Sequence, residues 1–149
     1  MSLGFPTIAC ISGECYAAGF FFACAHDFRI MRNDYGNICI SEINLGWEIP
    51  AGMNAVVQKK LPHHALVKAT CLGYKWSPKE ALENNLVDKI VPMDKLIEEG
   101  LKFAREIKVK GKNRRAYGEI KKVIYADTIE LCLYKSHKYD HKLTRRPKL

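Results

Sequence analysis

Strand-like and helix-like segments alternate along this 149-residue chain, which predicts an α/β fold. Three observations carry that reading. Short β-branched apolar runs recur, each closed by glycine, proline or a polar turn. Between them lie segments with recognisable helix starts and stops. The residues are 48% hydrophobic, which is material for a core in about one domain. This apolar content excludes disorder along the whole chain. It does not make a membrane span, because the longest apolar run, Cys15 to Ala25, is about eleven residues where a span needs about twenty.

The elements follow in order. Pro6 to Ser12 is a β-branched apolar run ended by Gly13, which predicts a buried strand. Ala17-Ala18-Gly19 then opens a short buried helix through Ala25. Asp27 to Met31 alternates like a strand, and Asn33-Asp34-Tyr35-Gly36 is a turn. Asn37 to Glu42 alternates again, which predicts a second strand ending on a carboxylate. Pro50 marks a helix start, with Met53 to Leu61 helical. After Pro62 a helix resumes from His63 to Leu72 and is closed by Gly73. Ser77-Pro78-Lys79-Glu80 has the form of a capping box with proline in the first turn. Val87 to Val91 is a short strand. Asp94 is expected to cap a helix running to about Lys108, and Gly111-Lys112-Asn113 breaks it. From about Tyr117 to Leu143 the pattern is a long amphipathic helix or a helix pair.

Charge is placed unevenly. Residues 1–110 carry 13 basic and 12 acidic side chains, whereas residues 111–149 carry 11 basic and 4 acidic, so a near-neutral body leads into a basic C-terminal region. Such a region is either a solvated helix face or a seat for phosphate-bearing partners. Nucleic acid is not the expected partner, since no recognition motif or interleaved aromatic pattern accompanies the charge. Six cysteines without a Cys-x-x-Cys pair predict a reducing compartment, no disulfide framework and no zinc site. No secretory signal is legible at Met1-Ser2-Leu3-Gly4.

One arrangement suits chemistry. A buried strand runs into the small-residue turn Ser12-Gly13-Glu14-Cys15-Tyr16-Ala17-Ala18-Gly19, which opens a helix. Small residues admit a ligand close to the backbone, and the first helical N–H groups suit an oxygen that becomes negative. Further on, the chain delivers Glu42, followed by Leu45-Gly46 and Ile49-Pro50-Ala51-Gly52. An oxyanion-binding backbone beside a carboxylate base suits proton abstraction next to a carbonyl. The same turn before a helix is also ordinary packing.

The order of these motifs resembles the crotonase (enoyl-CoA hydratase/isomerase) superfamily. The resemblance rests on Pro6 to Gly13, Ala17-Ala18-Gly19, His26 to Ile30, Ser41 to Gly46 and Ile49 to Gly52. It continues through Leu72 to Leu82 and Leu86 to Pro92, and covers about residues 6–108. It implies an incomplete crotonase-like ββα spiral core over residues 1–108, the C-terminal part of the family domain, with a basic helical region over 109–149. It further implies that the Ala18 N–H is an oxyanion donor and Glu42 the catalytic base. Ala17, Gly19, Phe21 and Trp47 would contact the substrate. Hydratases of the superfamily carry a second glutamate where this chain has Phe21. A single carboxylate suits a shift of a double bond from C3 to C2, so the resemblance points to the Δ3,Δ2-enoyl-CoA isomerases, above all the peroxisomal ones. The rivals are an enoyl-CoA hydratase and an inactive, truncated acyl-CoA-binding or oligomerising relative.

The resemblance implies no resident cofactor, since coenzyme A enters as part of an acyl-CoA thioester substrate. It also implies a homo-oligomer, a trimer by family. The C-terminal Pro147-Lys148-Leu149 is a variant of the Ser-Lys-Leu address, which would direct the chain to the peroxisomal import receptor; a cytoplasmic location is the alternative. Among the remaining features, His63-His64 is expected at the surface, and the neighbouring cations argue against metal at His137 and His141. Glu14 is a second-carboxylate candidate. Trp47 and Glu48 either line the acyl pocket or serve packing. Lys112, Arg114, Arg115, Lys121 and Lys122 are candidates for CoA phosphates across a subunit boundary.

Overall fold

A computed structural model describes residues 1–134. Five short strands, all paired in parallel, run β1 Ile8–Ile11, β2 Cys15–Tyr16, β3 Phe28–Arg32, β4 Ile38–Cys39 and β5 Lys89–Val91. They form one sheet in the order β1-β3-β5 and a second pair, β2-β4. Parallel pairing obliges each connection to cross over, and the crossovers carry the helices. α1 Ala18–Cys24 lies between β2 and β3; α2 Ala51–Gln58, α3 His63–Leu72 and α4 Pro78–Glu83 lie between β4 and β5. α5 Leu96–Ile107, α6 Arg114–Ile124 and α7 Ala126–Tyr134 follow. This is the mixed α/β architecture expected from the sequence, and it is rich in helix.

The larger sheet is covered on both faces, as parallel sheets require. One face carries the main core, where Ile11, Phe20, Phe21, Met31, Ile38, Val57 and Trp76 are buried together. On the other face Ile30, Val91 and Leu96 pack with Ile8 and Phe103, so α5 forms the lid there. β1 occupies an edge of its sheet, with Ile8 half-buried and Cys10 exposed.

Local signals account for several ends. Gly73 ends α3 in the left-handed region, at φ 54°. Ser77 caps α4 by accepting from the Glu80 backbone N–H, while the Glu80 carboxylate accepts from the Ser77 N–H at 3.0 Å, a complete capping box.

Two expectations are corrected. The segment Asn37 to Glu42 is not one strand ending on the carboxylate. Regular pairing stops at Cys39, where its partner β2 gives way to the Ala17 turn, and the far side of Ile38 is bonded in both directions to Trp76, at 2.9 and 2.8 Å. Glu42 adopts helical angles and caps a 3-10 turn, Ile43–Leu45. Nor does Asp94 cap α5. Pro92 first sets a 3-10 turn, Met93–Lys95, and the α-helix begins only at Leu96. Of the two forms expected for the C-terminal segment, the described residues show the helix pair, broken at Tyr125, whose hydroxyl accepts from Lys60 Nζ at 2.7 Å. Residues beyond 134, including His137 and His141, lie outside the described region.

The helix pair is built onto the body rather than attached to it by charge alone. α7 packs on α2 so closely that a Cβ added at Gly52 would come 2.9 Å from the Cys132 Cα. Lys121 of α6 reaches Asp27, whose Oδ2 it meets at 2.9 Å. The same oxygen accepts from the Thr7 N–H at 2.8 Å and from the Thr7 hydroxyl at 3.0 Å. A solvated-face reading therefore fails for Lys121, which is buried, whereas Lys112, Arg114, Arg115 and Lys122 are exposed.

Candidate active site

Parallel pairing of β2 with β4 brings two chain ends together. Cys15 stands opposite Ile38 and Tyr16 opposite Cys39, and the Ala17 N–H donates to the Cys39 carbonyl at 2.9 Å. The chain then leaves β2 into α1, while the other strand leads within three residues to Glu42. Three residues reach at most about 10 Å, so Glu42 starts from the neighbourhood of the Ala17–Gly19 turn.

That turn is strained. Ala17 sits at φ 47° and ψ −122°, a conformation that alanine rarely adopts. Its carbonyl accepts from both the Phe20 and Phe21 N–H groups, at 3.0 and 3.2 Å. The strain swings α1 into place directly after a two-residue strand. It leaves the N–H groups of Ala18 and Gly19 in the first helical turn, where no intrahelical acceptor exists, and both residues are exposed.

Glu42 is held by its backbone. Its carbonyl accepts from the Leu45 N–H at 3.0 Å and the Trp47 N–H at 2.9 Å. Its 3-10 turn is tied to the end of α3 by Asn44, whose side-chain amide donates to the Gly73 carbonyl at 3.2 Å. The Glu42 residue is only 8% exposed, and its Oε2 is buried without a hydrogen-bond partner among the described residues. Leaving a buried carboxylate oxygen unpaired costs free energy, so such an atom is unusual where structure alone is served. The nearby Cys39 thiol is pushed up by burial, with Lys75 acting against that shift and the negative charge of Glu42 adding to it.

The other sequence-derived residues fall as follows. Phe21 is 4% exposed and sits in the main core rather than on a surface. Trp47 is 66% exposed. Glu14 is engaged elsewhere: its carboxylate accepts from the Asn37 N–H at 2.9 Å, and that bond holds it below the usual range. His63 and His64 are exposed in the first turn of α3. Lys121 is unavailable to a phosphate because Asp27 holds it. Pro147, Lys148 and Leu149 lie outside the described residues. Among those residues no group of three or more metal-ligating side chains converges, and no helix is long and apolar enough to cross a membrane. Asn44 and Gly73 were not singled out from sequence as positioning groups. Gly73 was legible as a helix end, but nothing local ties it to Asn44, 29 residues away.

The chain is similar to several known proteins. A family model described as enoyl-CoA hydratase/isomerase matches residues 1–147, beyond the stretch where the motifs were read. Enoyl-CoA delta isomerase 3 of Arabidopsis thaliana is 30% identical over 135 residues, which cover 89% of this chain and 56% of that protein. A second Arabidopsis thaliana relative, enoyl-CoA delta isomerase 2, peroxisomal, is 29% identical over 135 residues, covering 89% and 55%. The crystal structure of an enoyl-CoA hydratase from Mycobacterium ulcerans superposes with a TM-score of 0.78 at 25% identity, covering 87% of this chain and 56% of that one. The chain thus spans about half the length of the curated relatives it matches.

Proposed function

The chain belongs to the enoyl-CoA hydratase/isomerase family, and from that premise we propose that it carries the base-bearing part of a Δ3,Δ2-enoyl-CoA isomerase site acting in fatty acyl-CoA β-oxidation. The observation that carries the reading is the Glu42 carboxylate, buried with one oxygen unpaired. A shift of a double bond from C3 to C2 needs one base that takes a proton from C2 and returns it at C4. Between the two transfers the thioester oxygen carries negative charge as an enolate, and the Ala18 N–H is the donor that meets it. No redox partner or water enters. Hydration would call for a second carboxylate, and the resemblance sets Phe21 at the position where hydratases carry it. Ala17 and Gly19 serve by leaving the backbone open to the substrate.

The experiment is conversion of a 3-enoyl-CoA to the 2-enoyl isomer by the purified chain, with Glu42→Gln beside it. Loss of about 10²–10⁴-fold on that substitution supports the role of Glu42. Equal rates for both proteins refute it. Binding of the thioester without turnover in either protein instead favours an inactive acyl-CoA-binding relative. Turnover of a 2-enoyl-CoA to the 3-hydroxy product would favour a hydratase. The peroxisomal location, a trimeric assembly and recognition by the import receptor belong to the same proposal. The location and the receptor are supported by the peroxisomal name of one relative and the Pro147-Lys148-Leu149 ending; the trimer rests on the family resemblance alone. A fluorescent fusion that loses its organelle pattern when Leu149 is removed supports the address.

A further inference from the structure

The carbonyl of Gly73 is a meeting point for both halves of the candidate site. It accepts from the Cys39 thiol at 3.3 Å and from the Asn44 side-chain amide at 3.2 Å. These two donors bracket Glu42 in the chain, one three residues before it and the other two after. Cys39 is also tied to the turn that opens α1, because its own carbonyl accepts from the Ala17 N–H at 2.9 Å. One oxygen therefore links the turn that carries the Ala18 N–H to the turn that carries the carboxylate.

That oxygen is a fixed point. Gly73 closes α3, where a carbonyl has no further partner along its own helix. Three residues later Trp76 pairs with Ile38 in both directions, which holds the chain after Gly73 against β4. Glycine is required at this position twice over. Its φ of 54° lies in the left-handed region, and a Cβ there would come 2.5 Å from the Asn44 Nδ2. Asparagine also tolerates a left-handed helix end, so the backbone alone would admit it; the contact with Asn44 does not. We propose that Asn44 is a positioning residue, which through the Gly73 carbonyl sets where the Glu42 carboxylate stands relative to the Ala18 N–H. Base and donor must meet the same acyl group, and a misplacement of about 1 Å costs on the order of 10²-fold in rate. The catalytic sense of this role rests on the reading of Glu42 as the base.

The test is amide hydrogen exchange of the full chain, followed by NMR as protection relative to intrinsic rates. Trp47 is the reporter, since its N–H donates to the Glu42 carbonyl at 2.9 Å. Asn44→Ala should lower Trp47 protection about two- to tenfold, as loss of one hydrogen bond implies, and leave Ile30 in the middle strand unchanged. Asn44→Asp, which keeps the shape and loses the donor, should do the same. So should Gly73→Asn, which keeps the helix end and drives a side chain into Asn44; if it fails to fold by circular dichroism, Asn44→Asp decides. With a 3-enoyl-CoA substrate, Asn44→Ala should lower kcat about tenfold or more at unchanged KM, because it displaces the base and not the thioester. If the parent does not turn over, exchange alone decides. Parental Trp47 protection in Asn44→Ala or Asn44→Asp overturns the proposal, as does a fall shared by Ile30 or a raised KM at unchanged kcat. Glu42→Gln separates the two failures. A parental rate in that variant sinks the base, whereas a fall there beside parental Trp47 protection in Asn44→Ala sinks the positioning role alone.

Discussion

Replacing Lys121 by methionine removes the positive end of the ion pair that fastens α6 to the start of β3. Both side chains are buried, at 5% and 10% exposure, so water does not take over when one partner goes. Methionine keeps the length of the stem and isolates the charge. Asp27 would retain the Thr7 N–H and hydroxyl, so its charge stays partly satisfied. Breaking a buried pair from one side costs about 3–5 kcal/mol. For a chain of this size, about 2–4 °C of melting temperature follow each kcal/mol, so the midpoint should drop by about 6–20 °C. Thermal unfolding at neutral pH measures this. Removing the second charge as well, with Asp27→Asn and Lys121→Met together, should restore at least half of the loss, since no uncompensated charge is left. A single replacement that costs less than about 1 kcal/mol would refute the argument, because exposed pairs have that small a value and a buried one does not.

Three further outcomes follow from particular geometries. Ala17→Gly should stabilise the chain by about 1 kcal/mol in urea unfolding, because relief of strain at positive φ exceeds the extra flexibility of the unfolded glycine; destabilisation would contradict a strained turn. Gly100→Ala should destabilise by about 1–3 kcal/mol, as the new methyl meets the Cys10 sulfur, and Cys10→Ala should recover most of that loss in the same assay. The Glu80 carboxyl is pulled down to about 2, first by the Ser77 hydroxyl and then by the Tyr74 hydroxyl. A depressed folded value means that its contribution is present at neutral pH and is lost on acidification, between its ordinary value of 4.5 and about 2. Glu80→Gln should therefore cost about 1 kcal/mol at neutral pH, and the gap to the parent should close across that interval. A gap that does not change with pH excludes the linkage.

Much of the fold was legible because its signals are local. A helix end at Gly73 and a capping box at Ser77 are complete within four residues, and the apolar run of β3 announces burial by its own composition, whereas β1, equally apolar, lies at a sheet edge and buries only Ile11. The motif order was enough to identify the family resemblance and to select Glu42 and Ala18. What no stretch of sequence carries is pairing at a distance. The second strand was read too long because its partners, Cys15–Tyr16 and Trp76, lie far from it in sequence and pair with it only as far as Cys39. Lys121 read as a surface charge because Asp27, 94 residues earlier, is nowhere near it along the chain. Burial of the Glu42 carboxylate with an unpaired oxygen has the same origin. Residue type and periodicity determined which segments would be helix, strand or turn, since those depend on neighbours a few residues away. Only tertiary packing decided which polar atoms lost their water, because desolvation is produced by the whole set of elements closing around them.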